Sequence, residues 1–323
     1  MREMTIGAND AGQRLDKFLL KALPALPKTL MYKFLRTRHI KLNGKKAEIS
    51  TRLCPGDKLT FFISDEFFVQ DSQQLFMQAR PDIQVVYEDE NLLLVNKPSG
   101  LIVHEDEGES VDTLINRVLH YLYKKGDYHP EQEASFAPAL CNRIDRNTEG
   151  IVIVAKNAEA LRLLNACIRD RQLHKFYLCL LKGVPSPREA TLRHFMRKDE
   201  RENRAIVYDH TVLGGKTMVT RYRVLKSYKK IALAEIELKT GRTHQIRAHM
   251  AYIGCPLVGD GKYSDNRRER GLGFESQALC SYKLIFDFKE PCALSYLNGR
   301  VFTVKSVSFA DDEVIRRLGD ALN

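Results

Sequence analysis

From residue 83 onward, the segments 89–91 and 226–230 that join successive strand-like stretches are too short to hold a helical crossover, and this limits the fold more than any other feature of the sequence. Apolar, β-prone stretches fall at 83–88, 92–96, 151–155, 176–181, 217–225, 231–238 and 301–309. A parallel pair needs a connection of a dozen or more residues, usually a helix, whereas an antiparallel pair closes through two. The expectation is therefore an α+β domain on a mixed, mainly antiparallel sheet, and a doubly wound nucleotide fold is disfavoured. Helical patterns are expected at 111–123 and 157–171; in the second, Ala160, Leu161, Leu164, Cys167 and Ile168 share an inward face.

Residues 1–63 have a different character. A helix is expected from Arg14, with Leu15, Phe18 and Leu19 inward and Asp10 upstream as its cap. A second follows Pro27, with Leu30, Phe34 and Leu35 inward and Lys33, Arg36 and Arg38 outward. Lys41, Lys45 and Lys46 then flank Asn43-Gly44, a hairpin-turn signal, and 58–63 supplies a closing strand. Basic residues outnumber acidic ones more than two to one here, so most of the net charge of +10 on this 323-residue chain is concentrated at its front. Such a surface favours a polyanion, because neutralising phosphates releases counterions. The organisation expected is a small α/β domain at 1–63, a polar linker at 64–80 and a larger domain at 81–323, in keeping with a length beyond one ordinary core.

Several classes of function find no support. The seven cysteines are odd in number and lack a C-x-x-C pair, so neither a disulfide framework nor a zinc knuckle is expected. His244 and His249 are five apart and do not share a helical face, which argues against a paired metal site. Neither G-x-x-x-x-G-K-[ST] nor H-E-x-x-H occurs, and no run approaches the ~18 apolar residues of a membrane span. A cytoplasmic protein without metal or cofactor is expected.

Three segments hold residues suited to chemistry. Asp145 lies between Arg143 and Arg146, and guanidinium neighbours favour an ionised carboxylate; an aspartate in a stretch of Asn, Thr and Gly is equally read as a turn former. Tyr177, on a strand, either projects into a site or fills the core. In T-G-R-T-H-Q-I-R-A-H at 240–249 a strand ends at Gly241 and Thr243 is placed to cap a helix on which Ile246 and Met250 face inward. Arg247, turned about 100° from Ile246, reaches back towards a cleft. The charged stretch 192–207 reads as a mobile arm over RNA or as a solvated loop.

Four segments carry a resemblance: N-K-P-S-G-L-I-V-H at 96–104, R-I-D at 143–145 with Thr148 and Gly150, K-F-Y at 175–177, and G-R-T-H-Q-I-R at 241–247. In order and spacing, residues 81–323 resemble the catalytic domain of the RluA family of pseudouridine synthases. The front helices and N-G-K hairpin resemble the S4 RNA-binding module, as in large-subunit ribosomal RNA enzymes of the RluC/RluD type. The resemblance implies that Asp145 is the essential aspartate, Arg247 pairs with the aspartate and Arg143 helps hold the nucleotide out of its helix; Tyr177, counted with Asp145 and Arg247 as catalytic, stacks on the target base and is placed to assist proton transfer at C5. Arg242, His244, Gln245 and Ile246 complete the substrate-binding set, with His244 and Gln245 supporting the cleft by hydrogen bonds. Lys97 and Pro98 shape the sheet and receive no catalytic role. Arg14, Lys33, Arg36, Arg38, Lys41, Asn43, Lys45 and Lys46 are the RNA-contact candidates of the S4-like module.

The implied reaction breaks an N-glycosidic bond, turns the uracil and rejoins it through C5, without redox centre or metal. Attack by the aspartate on C1′, attack on C6 and removal of the 2′ proton all remain open. Ribosomal RNA is the partner implied, and a monomer is expected. Rival readings are a catalytically idle RNA-binding or assembly protein and a hydrolytic N-glycosidase. Departures from the family pattern stand at Asn142, Ile144, Glu149 and Cys280, of which Glu149 adds negative charge near the site and bears on target context more than on reaction type.

Overall fold

The computed structural model describes residues 1–68, 75–104 and 111–322. Among these, two sheets form: one of four strands within residues 1–61 and one of eleven strands beyond residue 83. The large sheet runs Arg204–Tyr208, Glu189–Asp199, Lys216–Tyr228, Ile231–Leu238, Leu173–Lys182, Leu279–Phe286, Glu149–Ala155, Leu92–Lys97, Gln84–Glu88, with Val301–Thr303 and Ala139–Leu140 as short side pairings. Its ladders are antiparallel except where Leu279–Phe286 meets Glu149–Ala155. The expected mixed, mainly antiparallel sheet is what forms.

Central strands are buried on both faces, which explains why they read as unbroken apolar runs rather than alternating ones. Along Glu149–Ala155, Ile151 and Ile153 enter one core with Leu164 and Phe286, while Val152 and Val154 enter the other with Val118, Tyr177 and Ile246. Helix Leu114–Lys125 covers the second core; the Thr113 side chain accepts from the Asn116 amide and left-handed Gly126 ends the helix. Helix Ala158–Arg169 covers the first, capped by Asn157, whose side chain accepts from the Ala160 amide at 2.8 Å.

Several expectations need correction. The stretch 192–207 is neither arm nor loop: Glu189–Asp199 and Arg204–Tyr208 form a hairpin at the sheet edge. Its inward set, Ala190, Leu192, His194 and Met196, does alternate, but polar and charged outward neighbours and Phe195 hide the period. Beyond Val301–Thr303 the chain leaves the sheet and turns through a short 3-10 helix at Ser308–Ala310. Strand Leu279–Phe286 and helix Asp312–Ala321 were not anticipated.

In the front module, helices Leu15–Ala22 and Lys28–Arg36 pack on the small sheet through Leu15, Phe18, Leu19, Met31 and Leu35. Asn43 and Gly44 both have positive φ, 51° and 74°, the geometry of the tight hairpin turn that N-G signals. Asp10 does not cap the first helix, whose N-cap Arg14 makes no side-chain cap bond; its carboxylate is engaged by Ser135 instead. Of the expected linker at 64–80, residues 69–74 lie outside the described residues. Phe67 and Phe68 pack onto the front core, and Phe76 and Ala79 onto the larger domain. Among the described residues no helix is long and apolar enough to cross a membrane.

Candidate active site

Asp145 sits in the loop between the pairing Ala139–Leu140 and strand Glu149–Ala155, in a turn closed by the Thr148 amide donating to the Asp145 carbonyl at 3.0 Å. Two devices hold this loop. Gly150, at φ 114°, pairs with Ser281, and a β-carbon there would lie 2.3 Å from the Ser281 carbonyl oxygen, so the strand accepts no side chain at that point. The fully buried Lys97 ammonium donates to the carbonyls of Pro98 and Leu101 at 2.9 Å and of Arg146 at 2.7 Å, stitching the 96–101 turn to the Asp145 loop. Burial lowers the Lys97 pKa to about 8, against the opposing pull of Asp145 and Glu149. Burial raises Glu149 in turn, with Lys97 opposing.

Arg247 lies in helix Gln245–Tyr252 and is buried. Its guanidinium bridges two carboxylates: Nε and Nη2 donate to Asp260 at 2.8 Å each, and Nη1 donates to Asp145 Oδ2 at 3.1 Å. Asp260 is wholly buried and also accepts from the amides of Lys262 and Tyr263. Burial pushes the Asp260 carboxyl up, but the Arg247 hydrogen bonds and charge outweigh it and hold its pKa below the usual aspartate value. Sequence reasoning missed Asp260. Its setting, G-D-G at 259–261, signals only a tight turn, and nothing local points to an arginine thirteen residues upstream.

The expected cap at Thr243 is displaced by one residue. His244 occupies the N-cap in the left-handed region (φ 53°) and makes no side-chain cap bond. Its Nε2 lies 3.8 Å from Asp145 Oδ2, and its Nδ1 shares a hydrogen bond with the Tyr263 hydroxyl. Burial lowers the His244 pKa, with Asp145 pulling the other way. Gln245 is buried and fully engaged within the protein: its amide oxygen accepts from Thr240 and the Arg242 amide, and its nitrogen donates to Val219 and Thr220. It pins the 240–245 loop to strand Lys216–Tyr228 rather than offering a polar group to substrate.

Asp145, Arg143, Tyr177, Arg242, His244, Gln245, Ile246 and Arg247 line one cavity of about 680 Å³, within the range of small-ligand pockets. Lys198 and Asn203, from the edge hairpin, line it as well. Arg143 and Arg242 are exposed, while Ile246 and Tyr177 are buried in the wall. Burial pushes the Tyr177 phenol up to about 12, with a hydrogen bond to Ser281 opposing. Its hydroxyl is protonated at neutral pH, as an ordinary phenol is.

In the front module Lys33, Arg36, Arg38, Lys45 and Lys46 are exposed. Arg14 pairs with Asp16 at 3.0 Å, and the Lys41 ammonium lies over the Phe62 ring. Asn43 has its side chain committed: its nitrogen donates to Asp57 and its oxygen accepts from the Lys58 amide, both at 2.8 Å. It shapes the hairpin instead of presenting a free amide. Asn142, one of the departures from the family pattern, accepts from the Ile153 amide at 2.8 Å.

A mainly antiparallel sheet with a paired aspartate and arginine in a nucleoside-sized pocket, preceded by a basic helical module, defines an RNA-modifying enzyme. A family profile described as RNA pseudouridylate synthase matches residues 91–252, and one described as S4 domain matches residues 13–59. The chain is 30% identical to the uncharacterized RNA pseudouridine synthase YlyB of Bacillus subtilis over 88% of its own length and 89% of that protein. It is 33% identical to ribosomal large subunit pseudouridine synthase C of Vibrio cholerae, covering 80% and 78% of the two chains. The Escherichia coli protein of that name is 32% identical over 83% and 82%. The structure of human RNA pseudouridylate synthase domain containing 4 shares the fold, with a TM-score of 0.55 at 22% identity over 74% of this chain and 93% of that one. The chain belongs to the RluA family of RNA pseudouridine synthases, and it is an isomerase of uridine in RNA.

Proposed function

We propose that this enzyme isomerises specific uridines of large-subunit ribosomal RNA in the cytoplasm, as a monomer, with Asp145 as the catalytic carboxylate. The observation that carries the assignment is the asymmetry of Asp145. Its Oδ2 is taken by Arg247, while Oδ1 accepts no hydrogen bond from any described residue, and the residue lines the cavity. One oxygen is fixed and the other is available to act on ribose or base. Arg247 orients the carboxylate and balances its charge. Tyr177 offers its ring for stacking on the uracil and a neutral hydroxyl. Arg143, exposed at the rim, replaces contacts that the extruded nucleotide gives up, a cost of a few kcal/mol.

The names of the Vibrio cholerae and Escherichia coli relatives support ribosomal RNA of the large subunit as the substrate, and the exposed basic face of the front module supports a structured RNA. Tritium at uridine C5 should be released from 23S ribosomal RNA in an amount matching a few uridines per molecule. Release from transfer RNA alone would overturn the substrate. In a second measurement, Lys33→Glu, Arg36→Glu and Lys45→Glu together should weaken RNA affinity and lower its logarithmic salt slope by about 2–3 if all three face phosphates. Turnover on a short saturating stem-loop should persist. An unchanged salt slope would remove the front module from the RNA interface.

A further inference from the structure

The loop ahead of the first helix is bonded to its own module through Gly12, Gln13 and Leu53, and it also reaches outside that module. Asp10 is 3% exposed, and its Oδ1 accepts from the Ser135 hydroxyl at 2.6 Å and the Ser135 amide at 3.0 Å. Gln13 Nε2 donates to the same hydroxyl at 2.8 Å. Asn9 donates to Glu133 at 2.7 Å and accepts from the Ala158 amide at 3.2 Å. Arg162 donates to the Ala11 carbonyl at 3.2 Å, and Ala134 packs against the front core.

These partners have a particular place in the fold. Residues 133–135 lie just before the Asp145 loop, and Ala158 and Arg162 belong to the helix that follows strand Glu149–Ala155. The front module is thus bonded to chain segments on both sides of the unit that presents Asp145. Directional bonds to a carboxylate do not slide: a small displacement breaks them, whereas an apolar contact shifts with little penalty.

We propose that Asn9, Asp10 and Gln13, with Ser135 and Glu133, form a latch that holds the S4 module in one orientation to the catalytic pocket and so acts as a specificity element. An RNA must then present phosphates to the module and a uridine to the pocket at one fixed separation. A freely tethered module would accept a range of separations and add affinity without choosing among uridines. The inference rests on the reading that the front module contacts RNA, which the charge-reversal measurement tests separately. Asp10 and Ser135 are positioning residues.

The test uses the full-length protein as wild type, Asp10→Ala, Ser135→Ala and Asp10→Asn. Solution X-ray scattering gives the maximum dimension, pseudouridine mapping on whole ribosomal RNA gives the set of modified uridines, and tritium release from a short stem-loop reports the pocket alone. Asp10→Ala and Ser135→Ala should enlarge the molecule and raise modification of off-target relative to target uridines by about tenfold. The stem-loop rate should stay within about twofold, and Asp10→Asn, which keeps an acceptor for Ser135, should stay near wild type. Should Asp10→Ala fail to fold, Ser135→Ala decides. An unchanged dimension in the folded variant, or a larger molecule that modifies the same uridines, overturns the proposal.

Discussion

The Asp145→Asn protein is expected to bind RNA as the wild type does and to release no measurable tritium from C5-labelled uridine, a loss of about 10⁴-fold or more. The amide has nearly the volume of the carboxylate, and its oxygen can still accept from Arg247 Nη1, so the loop keeps its shape. What disappears is the lone-pair basicity of Oδ1. A neutral amide neither attacks carbon nor takes a proton at neutral pH, and each of the three open routes, through C1′, through C6 or through the 2′ proton, needs one of those acts. The electrostatics change as well, because one guanidinium now faces one carboxylate instead of two. Asp145 is partly exposed, with 29% of its side chain accessible, so the cost to folding should be small beside the loss of activity. Turnover of the variant above about one per cent of wild type, with RNA binding intact, would sink the role assigned to this carboxylate.

Sequence order revealed which side chains gather at the cavity more readily than the packing that supports them. Asp145, Tyr177 and Arg247 were legible because each sits in a short local pattern, and the structure brings all three to one cavity. The N-G turn was legible because positive φ at two successive positions is a strictly local demand. Strand Leu279–Phe286 was not. It inserts between Glu149–Ala155 and Leu173–Lys182, and its parallel contact at Gly150 is with Ser281, 131 residues further along the chain. Long-range pairing leaves no period in either partner; the one trace was Gly150, whose lack of a β-carbon is explained only once Ser281 is in place. Asp10 misleads for a related reason: a short polar side chain near a helix start is read as a local cap, whereas here it is spent on Ser135, far along the chain.

Replacing Asp260 should damage the fold more than replacing Asp145. Asp260→Ala leaves the Arg247 guanidinium buried with its bidentate partner gone and two loop amides unmet, a cost of about 3–5 kcal/mol. For a domain of this size that lowers the melting midpoint by roughly 6–20 °C. The pH dependence has a definite sign. Because Asp260 titrates lower in the folded protein, its stabilisation is present above the unfolded value of about 3.9 and is lost as pH falls through the lowered folded one. The gap between wild type and variant should therefore be widest near neutrality and narrow in acid. Activity should fall too, since Arg247, freed from one carboxylate, no longer holds Asp145 at a fixed angle. The decisive measurement is a double-mutant cycle. Arg247→Met combined with Asp260→Ala removes the charge along with its partner, so the pair should be less unstable than Asp260→Ala alone while remaining inactive. Additive losses in the cycle would mean that Asp260 acts through the loop amides and not through the arginine.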